Sequence, residues 1–249
     1  MSTIKIKLLN TCRDAIDSLQ SEFPEPILVK IRSGHVFRYE KQNDLVMSYL
    51  KCISGLSAAN AANALFDSGY IAEVMALSRI CNDCFEDVLF LASPLGDESN
   101  LSKNQREHIE EYFLEEFSEE GTLPEAQAVR HRVPRSKIQS AIANLPNSES
   151  NPHNRRENQS MLFRISSGSV HSAYFQAMDL YGGYPTSFRF HVNGISDQTK
   201  VNEYALAFHS AVNNVASSII IVAKRCDQSQ TATDLEAMQI EFGKAAKLF

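Results

Sequence analysis

The chain predicts an all-α fold, an antiparallel helical bundle with one helical and loop insertion, and three observations lead there. Of 249 residues only 10 are Gly and 8 are Pro, while Ala, Leu, Ser, Asn and Glu dominate, too few turn formers for a β-sandwich. Tyr204, Phe208, Val212, Val215, Ile219 and Val222 recur every three or four positions across 200–225, the period of one helix face. Ala58, Ala59, Ala61, Ala62 and Ala64 give the stretch 43–66 high helix propensity and let a neighbouring helix approach closely.

Taken in order, Ile4, Leu8, Cys12, Ile16 and Leu19 form the apolar stripe of a first helix over about 3–20, which Phe23-Pro24-Glu25-Pro26 ends. Residues 27–39 are β-branched and aromatic around Gly34, which favours an extended segment. The alanine-rich helix at 43–66 is stopped by Asp67-Ser68-Gly69, Gly69 being the residue that accepts a positive φ. The next helix, over 70–92, buries Ile71, Val74, Leu77, Cys81, Phe85, Val88 and Leu91 and must run antiparallel to its predecessor.

Ser93 to Asp97 reads as a loop, followed by an acidic amphipathic helix over 102–118 with Ile109, Tyr112, Phe113 and Phe117 inward, and by short helices near 124–132 and 136–143. Residues 144–154 are polar and turn-rich, so they predict a linker. Two helical pieces, 158–166 and 170–180, flank a break at Ser166-Ser167-Gly168-Ser169, with Ser169 placed to cap the second. Gly182 and Gly183 end that piece, Phe188 to Val192 alternates as a short strand, and helices over 200–225 and 231–249 close the chain. The whole, 1–249, predicts one α-helical domain with a core at about 43–92 and 158–226 and an insertion at about 93–157.

A net charge of −6 argues against a protein that coats nucleic acid through a general positive field, and leaves room for a local basic site. Two basic clusters exist, Arg130, His131, Arg132, Arg135 and Lys137, and His153, Arg155, Arg156 and Arg164; such runs are commonly solvated surface. No apolar stretch of signal-peptide length opens the chain and the run 215–223 is too short to span a bilayer, so a cytoplasmic protein without a membrane partner is expected. The five scattered cysteines are expected to be reduced.

Chemistry concentrates at Arg164-Ile-Ser-Ser-Gly-Ser-Val-His171. In one unbroken helix, seven residues would set Arg164 and His171 on one face about 10 Å apart along the axis, too far to share a phosphate. A break at Gly168 would let them converge, and a Ser169 cap would leave free N–H groups facing the same space. His171 could then act as general acid or base and Arg164 could clamp the phosphate, with Ser167 and Ser169 as supporting donors, which suffices for metal-independent cleavage of RNA by its own 2′-OH. The competing structural reading has Arg164 anchoring a carboxylate and His171 capping a helix or filling a buried hydrogen bond.

An arginine, six intervening residues and a histidine at a helix start resemble the signature of the HEPN superfamily. Arg79, Asp83 and Glu86 on the preceding hairpin are similar to the corresponding stretch of helical abortive-infection proteins. Ile165 stands where active HEPN nucleases often have a polar residue. Over about 48–226 the resemblance implies an all-α bundle, a homodimer whose two motifs face one cleft, and a metal-independent endoribonuclease of toxin or anti-phage type, with RNA as substrate and no cofactor. The alternative is a non-catalytic helical interaction or sensing protein, with a neutralising or sensor protein as partner; nucleotide or second-messenger binding by the same basic residues is a third reading.

Arg79, Asn82, Asp83 and Glu86 fall at i, i+3, i+4 and i+7, one polar strip on the hairpin helix. Arg79 could join the phosphate site with Asp83 or Glu86 orienting it or His171, or the strip could be an ordinary intrahelical ion pair. Cys81 and Cys84 have metal-like spacing but no second pair or His-x-x-x-His to complete a site, so no metal is expected and both read as small buried hydrophobes. No phosphate-binding glycine loop or serine-nucleophile elbow is present, which argues against an ATPase or an α/β-hydrolase.

Overall fold

The computed structural model describes residues 2–31, 34–92, 100–114, 133–145, 151–182 and 188–248. The amphipathic stripe at the start becomes α1 (Ser2–Leu19), and the β-branched stretch becomes an antiparallel hairpin of β1 (Ile27–Ile31) and β2 (Gly34–Arg38) in which Ile27 faces Arg38. Asn43 caps α2 (Asp44–Phe66) by accepting from the Val46 N–H at 3.0 Å. The α2 helix turns back through Gly69 into α3 (Ile71–Leu91), and Gly69 has the positive φ expected of it, 76°. A side chain could not replace it, since a Cβ there would stand 2.1 Å from the Ile195 carbonyl oxygen.

The α2–α3 hairpin packs on α8 (Gln198–Arg225), and α9 (Ser229–Ala246) and α1 close the bundle behind it. Leu8, Ala59, Ala62, Val74, Val88, Phe208, Ile219 and Phe242 from these five helices share one buried core. Close approach is visible at Gly55, where a Cβ would touch Cys84 and Val215 at 3.5 Å. By length and composition α8 could cross a membrane, but Phe208, Val212, Val215, Ile219 and Val222 on it are buried in this core. The mostly helical architecture expected from composition and periodicity is what the chain adopts.

A second, smaller core forms where α4 (Lys103–Phe113) and α5 (Arg135–Ala143) cover the end of the hairpin, with Met47, Phe90, Leu91, Ile109, Ile138 and Ile142 inside. Ser102 and Gln105 make a reciprocal capping box at the start of α4. That helix ends at Phe113 and Leu114 is extended, so the described part is shorter than the expected 102–118; residues 115–118 and the expected helix at 124–132 lie outside the described residues. Cys81 and Cys84 are both buried, Cys81 within the main apolar core, and all five cysteines are free thiols.

Two expectations need correction, both around α6 (Pro152–Val170). The expected linker at 144–154 gives way to helix from Pro152, because Asn151 accepts from the His153 N–H at 2.9 Å and proline is suited to the first helical turn. The expected break at 166–169 does not occur. The ladder continues through Gly168 to the His171 N–H, which donates to the Ser167 carbonyl at 3.1 Å, and the chain turns only at Ser172, where φ is 49°.

Consequently Ser169 caps nothing: the following helix, α7 (Tyr174–Met178), starts after Ala173 and has no side-chain cap. One glycine costs a helix only about 1 kcal/mol, and here Gly168 has a packing role. The Gln176 side chain would lie 2.5 Å from a Cβ at that position, so α7 folds back across the bare backbone. A two-rung ribbon of β3 (Tyr181–Gly182) and β4 (Arg189–Phe190) follows α7.

Candidate functional site

With α6 continuous, Arg164 and His171 are seven residues apart on a helical rise, so they point from the same flank about 10 Å apart. Both are exposed and neither has a hydrogen-bond or ion-pair partner among the described residues. Among the described residues Arg164 thus anchors no carboxylate. The His171 backbone ends the helix, but its imidazole makes no buried hydrogen bond. Ser167 and Ser169 are half-buried in the same last turns, and their carbonyls accept from the His171 and Ser172 N–H groups.

The other predicted residues gather elsewhere, on the face of α3 that meets α5. Arg79 Nε lies 3.5 Å from Asp83 Oδ2, the intrahelical pair that the spacing allows, and its guanidinium stacks 4.1 Å from the centroid of the Phe163 ring on α6. Neither Asp83 nor Glu86 orients His171. Arg135 of α5 reaches Asp83 at 3.8 Å, Glu86 at 3.5 Å and Asp87 at 2.7 Å, while Gln139 lies 3.4 Å from Glu86. Arg135 is thus a half-buried counter-ion to three carboxylates.

Asp87 is the hub of this network and is 1% exposed. Lys51 Nζ of α2 stands 2.7 Å from one of its oxygens, and His108 Nε2 of α4 and Arg135 Nη1 stand 3.2 and 2.7 Å from the other. Burial alone would raise this carboxyl, but the His108 contact and the Lys51 and Arg135 charges overturn that and hold it well below the usual carboxylate range. Glu86 goes the other way. Burial, helped by Asp83 and Asp87 and opposed by Arg135 and Gln139, pushes it up to about 7. Burial likewise raises Asp83 despite Arg135 and Arg79.

The network borders a cleft of about 480 Å³ that also has Val133, Ile138 and Phe163 in its walls. A smaller pocket of about 60 Å³ lies among Arg79, Asn82, Glu86, Ser166 and Asn214, where Asn214 donates to Asn82 at 3.0 Å. Sequence reasoning missed Lys51, Asp87 and His108. The signal available was charge balance: an acidic strip at 83, 86 and 87 on a core helix requires cations, and Arg135 begins one of the helices that pack on it. Among the described residues no three His, Cys, Asp or Glu side chains converge to hold a metal.

The two places differ in what they can do. The α3–α5 network lines a cleft, but its central carboxylate is already engaged by Lys51, His108 and Arg135, which suits holding helices together. The α6 flank offers a permanent cation and a titratable imidazole to whatever lies outside. No family model, no curated protein and no solved structure matches the chain.

Proposed function

We propose that the chain is a metal-independent endoribonuclease of toxin or anti-phage type, acting on RNA laid along the outer flank of α6. The observation that carries this reading is that Arg164 and His171 stand on one flank of one helix, exposed and unpartnered among the described residues, and so are available to a polyanion. Neutral His171 takes the proton of a ribose 2′-OH as that oxygen bonds to the adjacent phosphorus and the bond from phosphorus to the 5′-oxygen breaks. Water protonates the leaving 5′-oxygen, and the products are a 2′,3′-cyclic phosphate and a 5′-hydroxyl end.

About 10 Å further along the helix, Arg164 meets a different phosphate of the same strand, about three stacked nucleotides away at roughly 3.4 Å each. There its planar guanidinium clamps the backbone and fixes which bond His171 meets. Ser167 lies on the turn between them and can donate to the intervening phosphate. Incubating the protein with single-stranded RNA in EDTA should yield cyclic-phosphate ends, His171→Ala should slow this by about 10²- to 10⁴-fold, and Arg164→Ala should act mainly through KM. RNA left intact by the wild type, or cut as fast by His171→Ala, defeats the reading.

A second reading, a non-catalytic interaction or sensing protein, is favoured by the same separation, since no phosphate can be held by both side chains of one chain. Under it, both substitutions weaken binding of the partner and no cyclic-phosphate end ever forms.

A further inference from the structure

We propose that α7 and the β3–β4 ribbon form a stacking platform for the unpaired bases of a single-stranded RNA, whose phosphates pass Arg164 and His171. The inference rests on the reading of Arg164 and His171 as an RNA-handling pair and supplies what that pair lacks, a surface for bases.

Five residues of helix leave Tyr174 82% and Phe175 70% exposed, three and four residues after His171. Phe188 and Phe190, two residues apart and so on one side of the ribbon strand, are 52% and 54% exposed, and Tyr181 lies 6.1 and 4.9 Å from their ring centroids. An aromatic ring brings about 150 to 250 Å² of surface, and soluble chains seldom leave several side by side in water without a use for them. The Ala173 N–H donates to the Gly168 carbonyl at 2.9 Å, which ties the start of α7 to the end of α6, and the His191 N–H donates to the Leu180 carbonyl at 2.8 Å, which extends the β3–β4 pairing.

Charge selects the occupant. From 158 to 192 the sequence has one of the chain's 30 acidic residues, Asp179, and that one is engaged by the Tyr204 hydroxyl and by Lys200 at 3.4 Å. Arg164 and Arg189 are exposed and have no ion-pair partner among the described residues, and His171 lies between them in sequence. In a chain of net charge −6 this segment is a local cationic surface, with aromatic rings interleaved. Rings that stack bases and cations that follow phosphates are the two parts of a single-strand site. A second copy fits less well, because a two-fold contact would set these cations against their own equivalents with no free carboxylate to meet them.

Binding is measured by fluorescence anisotropy in EDTA with a labelled 12-mer 2′-O-methyl oligouridine, which has no 2′-OH to attack. The wild type should bind it, more weakly as salt rises, and more tightly than a duplex of equal length. Tyr174→Ala and Phe175→Ala should each weaken binding by about 5- to 150-fold, while Leu206→Ala, an exposed position on α8, should not. Both ring variants should keep the wild-type Tm, since these side chains are largely in solvent.

The platform is overturned if both ring variants bind as the wild type does. It is overturned equally if light scattering shows a dimer that they dissociate with RNA binding unchanged, because the face is then a self-contact. Cleavage of ordinary RNA that depends on His171 but not on the rings removes the platform and keeps the nuclease. Ring-dependent binding without cleavage removes the nuclease and keeps the platform.

Discussion

The α3–α5 contact and the α6–α7 flank use the same side-chain types, arginine, histidine and aromatic rings, and hold them in opposite states. On α3, Arg79 stacks on Phe163 and Arg135 reaches three carboxylates; on α6, Arg164 has no partner among the described residues. His108 is buried against Asp87 and Phe90, while His171 faces solvent. The difference teaches where to look for each kind of effect. A charge already matched inside the fold reports on stability when it is removed, and a charge left unmatched on the surface reports on whatever binds there.

The largest effect should come from the hub of the buried network. Asp87→Ala strands Lys51, His108 and Arg135 without their common carboxylate, and urea unfolding at pH 7 should show a loss of about 3–5 kcal/mol. A loss below about 1 kcal/mol would mean that the network is solvated and the contrast with α6 is false.

Next in size is an opposed pair of pH effects. Glu86 is raised to about 7, so the folded state favours its protonated form. Its contribution is present below the unfolded value near 4.5 and is lost as pH climbs to about 7. His209, buried beside Phe66, Phe208 and Phe242, is lowered to about 4 by burial and by Lys5, so its contribution is present above 6.5 and is lost as pH falls to about 4. Each amounts to something on the order of 3 kcal/mol across its window. In the wild type the two slopes oppose one another. Urea titrations should therefore show stability rising from pH 4 to 6.5 in Glu86→Gln, and falling from pH 4.5 to 7 in His209→Gln. A Glu86→Gln profile parallel to that of the wild type would show that Glu86 ionises normally and does not belong to the network.

The smallest effect should be on the flank. Arg164→Ala and His171→Ala should change unfolding free energy by no more than about 0.5 kcal/mol, whatever they do to RNA. A larger loss would place them in the fold, and the distinction between the two regions would collapse.

What was legible in the sequence follows the range of the forces involved. The α2–Gly69–α3 hairpin, the Asn43 start, the Ser102 start and the α8 stripe depend on residues within a few positions of one another, and periodicity and caps display them. The continuity of α6 was not legible, because Ser166-Ser167-Gly168-Ser169 looks like a break locally. Ser166 is in fact buried, Phe163 packs on Arg79 from across the fold, and Gln176 folds back from the next helix to cover Gly168. Of the candidate residues, Arg79, Asp83 and Glu86 could be grouped from spacing on one helix. Lys51, His108 and Arg135 come from three other helices, and only packing brings them to Asp87.

The tie between Gly69 and Ile195 bears on how such a protein can diversify. The Ile195 N–H donates to the Gly69 carbonyl at 2.9 Å, and Gly194 lies so close to the same turn that a Cβ there would stand 2.1 Å from the Ser68 oxygen. The chain that leaves the bundle after Ser166 is thus returned to a fixed point before α8 begins. Lineages descended from such an ancestor can lengthen, shorten or rewrite the intervening stretch while inheriting the bundle unchanged, as antibodies vary loops on a constant scaffold.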